Sequence, residues 1–163
     1  MNILSAFGLA FLATALTALA GENPYNEKAD AHAEIKQALT EAAAARIPVI
    51  VVFGANWCPD CRSLDLAMHR GATAQLLAGH FKLVKVNVGG RGEQRGTFAE
   101  NGDLASAYGV PLAKGIPALA ILSASNTVLY ATHAGELADA RHLGDQGIHD
   151  FLQRVTAAAL PKP

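Results

Sequence analysis

Val49-Ile50-Val51-Val52-Phe53-Gly54-Ala55-Asn56-Trp57-Cys58-Pro59-Asp60-Cys61 is the stretch whose reading decides the fold. Pro48 leads into five apolar residues, four of them β-branched, a run that reads as a strand buried on both faces in the middle of a sheet. Gly54 and Ala55 then turn the chain, and the residues after Cys58 have helical character. Cys58 is thus expected where a central strand hands over to a helix N-terminus. Free N–H groups and the positive end of the helix dipole there favour a thiolate over a thiol. The arrangement implies a redox-active dithiol.

The cysteine count points the same way. The two cysteines are three positions apart, and closing so short a loop constrains the unfolded chain little, which makes a stapling role a poor explanation. Zinc needs about four ligands; there is no second Cys pair, and the six histidines show no His-x(3–5)-His spacing. No metal or other cofactor is implied.

Working outward toward the N-terminus, residues 26–46 form an alanine-rich segment. Ala31, Ile35, Ala38, Leu39 and Ala42 recur at helical spacing, and Pro48 ends that pattern. Residues 21–25 read as a polar linker. Residues 1–20 carry no charge from Ile3 onward and end in Ala18-Leu19-Ala20, a small-x-small cleavage pattern. The expectation is a signal peptide removed after Ala20, hence a periplasmic or otherwise exported protein. The run also approaches spanning length, so an uncleaved membrane anchor is the alternative.

Toward the C-terminus, residues 62–68 continue the helix and residues 72–78 form a second short piece. Residues 81–88 read as the next strand, completing a right-handed βαβ unit. Residues 89–102 are too glycine-rich to pack and read as a surface loop; they hold no G-x(4)-G-K-[ST] phosphate pattern. A short helix at residues 103–108, with Asp103 as its N-cap, precedes a strand at 118–122 and an antiparallel partner at 127–132. Residues 135–144 look irregular. Ile148, Phe151, Leu152, Val155 and Ala159 then fall at helical spacing. The 163 residues suit one domain, 21–163. A net charge of −1 with no long basic run argues against nucleic acid as a partner.

The order βαβ then ββα, with Trp57-Cys58-Pro59-Asp60-Cys61 at the exit of the first strand and Gly115-Ile116-Pro117 before the third, resembles the thioredoxin superfamily over roughly residues 48–155. The resemblance implies an α/β fold, a three-layer α/β/α arrangement around a central mixed sheet with an extra N-terminal helix. It implies that Pro117 is the family's cis-proline, with the Ile116 backbone beside the sulfurs, ready to pair with an extended substrate. The strand at 81–88 and Tyr108-Gly109-Val110 look like the exported branch that includes the C-terminal domain of transmembrane thiol-reductant carriers. Lys85 matches a family lysine lying beneath the active site. One position departs from the family: thioredoxins bury an aspartate where this chain has Val52, which leaves water, Lys85 or Asp60 to handle the proton of the second cysteine.

Chemically, Cys58 is expected to be exposed and to attack, at a site type whose pKa values run about 3.5–7.5. Cys61, one turn further in, resolves the mixed disulfide. Trp57 is expected to shield the sulfurs or serve as a core tryptophan, and Pro59 suits the first helical turn. The Asp60 carboxylate is expected to oppose the thiolate. Together with Ile116 before the proline, it leans the dithiol toward reduction or isomerisation of disulfides in exported proteins. A membrane electron donor of the thiol-reductant carrier type would keep it reduced. The alternatives are a dithiol oxidase and a thioredoxin-fold binding module with a structural or regulatory disulfide.

Overall fold

The computed structural model describes residues 23–160 apart from Arg91 and Arg95. The expected signal peptide, residues 1–20, lies outside the described residues. Among the described residues no helix is long and apolar enough to cross a membrane.

Helix α1 (Ala31–Ala45) starts where Asp30 accepts a hydrogen bond from the Ala33 N–H at 3.0 Å. It ends at Arg46, whose left-handed backbone returns its N–H to the last carbonyls. Ala31, Ile35, Ala38 and Ala42 are its buried stripe, as their spacing predicts. Four strands follow: β1 (Val49–Gly54), β2 (Lys82–Asn87), β3 (Ala118–Leu122) and β4 (Val128–Ala131), in the spatial order β2-β1-β3-β4. β1 runs parallel to β2 and antiparallel to β3, so the sheet is mixed, as expected. All six residues of β1 are buried, which requires cover on both faces of the sheet. One group of helices is α2 (Pro59–Met68), α3 (Gly71–Leu77) and α5 (Ala140–Ala159), which pack on one another. The other is α1 with α4 (Gly102–Ala107), which line a common cavity.

Four sequence expectations are corrected. Tyr25 is not linker: it is 2% exposed and belongs to the core. Its backbone N–H donates to Asn56 Oδ1 at 3.0 Å, and Asn56 Nδ2 donates back to the Tyr25 carbonyl at 2.8 Å. Residues 26–29 form a turn before α1 and not its first helical turn. Asp103 does not cap α4; Asn101 holds that position, and Asp103 instead meets His32 at 2.9 Å. Finally, α5 begins at Ala140, inside the stretch read as irregular. Its first turn is set off from the rest by Gly144, at φ 63° and ψ 178°, a conformation that glycine adopts without steric cost.

Candidate active site

The C-terminal end of β1 delivers the chain into Asn56 and Trp57, and Cys58 is the N-cap residue of α2. Pro59 occupies the first turn, as expected. Cys58 and Cys61 form a disulfide. The Cys61 N–H donates to Cys58 Sγ at 3.1 Å. In the reduced protein the same helix N-terminus is positioned to stabilise a Cys58 thiolate.

Across from this sulfur stands the Ile116-Pro117 peptide bond, in the cis form. Cys58 Sγ lies 3.6 Å from the Ile116 carbonyl oxygen. Cys58 and Ile116, 58 positions apart in sequence, therefore face one another across the site, as the paired motifs implied. The expectation that Cys58 faces water is not met in the disulfide form. It is 4% exposed and Cys61 is 0% exposed, with the buried Ile116 packed against Cys58 through its carbonyl.

Asp60 also departs from expectation. Its carboxylate does not stand unpaired beside the sulfurs: Oδ1 accepts the backbone N–H of Arg141 at 3.0 Å and Nε of the same residue at 3.2 Å. Burial would raise its pKa, but the Arg141 hydrogen bonds and charge outweigh that and hold the carboxyl below its ordinary value. Trp57 is partly buried, and its Nε1 has no hydrogen-bond partner among the described residues. The indole lies over Gly89, where a Cβ would come within 2.5 Å of both Trp57 Nε1 and Ala55 Cβ. The loop at 89–102 is thus anchored at the site. Within it the Gly90 N–H donates to the Thr97 carbonyl at 2.9 Å, and Asn101 Nδ2 ties its far end to the Asn87 carbonyl of β2 at 2.8 Å.

The floor of the site holds the residue that sequence reading missed. Val52 sits directly across the β1–β2 ladder from Lys85. With no carboxylate at 52, Lys85 Nζ reaches Asp65 Oδ1 at 2.7 Å. Asp65 is 3% exposed and comes from α2, four residues after Cys61 and so on the same helix face. That i, i+4 spacing was the signal available in sequence. Asp65 also raises the Tyr25 hydroxyl above the ordinary tyrosine range, after the larger effect of burial. Asp65 and Cys61 thus share the buried face of α2, with Lys85 held against the carboxylate. No group of three or more His, Cys, Asp or Glu side chains able to hold a metal occurs among the described residues.

The profile of the Thioredoxin-like family matches residues 30–124. The solved structure of a disulphide isomerase from Xylella fastidiosa Temecula1 is 43% identical, with 82% of this chain and 96% of that chain covered and a TM-score of 0.74. A structure described as DsbH oxidoreductase is 18% identical over 93% of this chain and 94% of that one, with a TM-score of 0.53; it shows the shared fold alone. No curated protein matches the chain.

Proposed function

The chain belongs to the thioredoxin-like family, and from that premise we propose that its dithiol reduces or isomerises disulfides in exported proteins. It is a thiol:disulfide oxidoreductase, and the observation that carries this is the Cys58–Cys61 disulfide at the head of α2, facing the Ile116 carbonyl. In the working cycle the Cys58 thiolate attacks a substrate disulfide, breaking its S–S bond and releasing one substrate thiolate, which takes up a proton. Cys61 loses its proton and attacks the Cys58 sulfur, which frees the second substrate thiol and closes the protein's own disulfide. For isomerisation, a different cysteine thiolate of the substrate attacks the substrate sulfur of the mixed disulfide before Cys61 acts, forming a new substrate disulfide and releasing the Cys58 thiolate.

The likeness to a disulphide isomerase supports the reducing or isomerising direction over the oxidising one. The apolar segment ending at Ala20 supports export, and with it a membrane-borne electron donor. Insulin reduction tests the reading. Cys58→Ser abolishes turnover, and Cys61→Ser accumulates mixed disulfides with substrate proteins. Undiminished reduction by Cys58→Ser would return the protein to a binding role. A glutathione equilibrium near the strongly oxidising disulfide-forming enzymes, about −120 mV, would reverse the direction.

A further inference from the structure

Asp139, the residue before α5, makes no capping bond to its helix; its carboxylate engages His142 instead. The acceptor for the open N–H of Arg141 comes from Asp60 on α2, 81 positions away. Gly144 separates this first turn from the body of α5 and leaves it aimed at the active-site helix. The Arg141 side chain follows its backbone to the same carboxylate oxygen. A cation from the far end of the chain is therefore bound two residues from the attacking sulfur.

We propose that Arg141 is a positioning residue that sets the reduction potential of the dithiol, by neutralising the Asp60 carboxylate lodged between the two cysteines. An isolated carboxylate there would destabilise the Cys58 thiolate and favour the disulfide. An isolated guanidinium would stabilise the thiolate and favour the dithiol. The pair presents nearly balanced charge, so the potential rests between these limits.

The inference builds on the redox reading of Cys58 and Cys61, but its test does not require a physiological substrate. In the equilibrium with glutathione, two glutathione thiols give two electrons and two protons to the protein. The Cys58–Cys61 bond breaks and one glutathione disulfide forms. At mildly alkaline pH, Arg141→Gln raises the [GSH]²/[GSSG] ratio at half-reduction about fivefold, and Asp60→Asn lowers it about fivefold. Both variants retain the Arg141 N–H and an oxygen at position 60, so the backbone contact survives. The double variant returns toward the wild-type ratio, and the gap between oxidised and reduced melting temperatures follows the same signs. Shifts of the same sign in both single variants, or no shift in either, overturn the proposal. Failure of the redox reading itself has a different signature: unchanged insulin reduction by Cys58→Ser.

Discussion

Cys58 and Cys61 are one helical turn apart, yet they stand in two different constructions. The rim around Cys58 is made of chain ends and backbone: the N-terminus of α2, the Ile116 carbonyl, and the glycine of a loop that Trp57 covers. The floor under Cys61 is made of side chains from separate elements: Asp65 of α2, Lys85 of β2 and Tyr25 from ahead of α1. Backbone dipoles are fixed by the fold and require no counter-ion. Buried ionisable side chains must be matched, and removing one leaves the other uncompensated.

The sharpest way to break that comparison is to unpair the floor. Lys85→Met takes from Asp65 the nearer of its two partners, His69 Nδ1 remaining 3.5 Å from the same Oδ1, and is expected to lower unfolding stability in urea by about 2–3 kcal/mol, toward the low side for a buried pair because Lys85 keeps some access to water. Adding Asp65→Leu recovers much of the loss; a single variant as stable as wild type would show that the pair is not matched charge at all. Gly89→Ala is the corresponding test of the rim. The added methyl meets Ala55 and the Trp57 indole at 2.5 Å, and about 1–3 kcal/mol should be lost with a change in tryptophan emission. Gly102→Ala, which meets nothing within 4 Å, leaves both unchanged.

Tyr25 sharpens the contrast at alkaline pH. Its folded-state pKa is raised, so the folded chain keeps a proton that the unfolded chain releases above about 10. Tyr25 then contributes a fall of about 1.4 kcal/mol per pH unit above that point, and Tyr25→Phe should remove that share from pH-dependent urea melts, leaving the part due to Tyr108 and Tyr130, whose pKa values burial also raises. The smallest effect belongs to Asp60, whose pKa is lowered in the folded state. Its contribution is present above its ordinary value of 3.8 and fades as pH falls through the folded-state value. Arg141→Gln should flatten that acid limb; an unaltered limb would mean that the guanidinium contributes nothing there.

The rim was legible in sequence because each of its parts is a local pattern. A β-branched run, a small turn and a cysteine-proline step place a sulfur at a helix N-terminus, and Gly115-Ile116-Pro117 marks the facing peptide. Lys85 was legible through its family position, but its partner was not. Val52 suggested that the carboxylate was gone, whereas the β1–β2 register and the α2 face bring Asp65 to the same lysine. Tyr25 was misread because a short polar surrounding in sequence says nothing of a two-way bond to Asn56. Asp60 was read by its neighbours in sequence, and its real neighbour is 81 residues away.

By itself, then, the sequence determined the order of elements, the dithiol and the proline that faces it. Each is written in a run of adjacent residues whose backbone preferences and hydrophobic period act locally. Only the tertiary structure decided how charge is distributed around the two sulfurs. Electrostatic partners are chosen by distance through space and by shared burial, and neither Asp65 with Lys85 nor Asp60 with Arg141 is adjacent until the helices dock on the sheet.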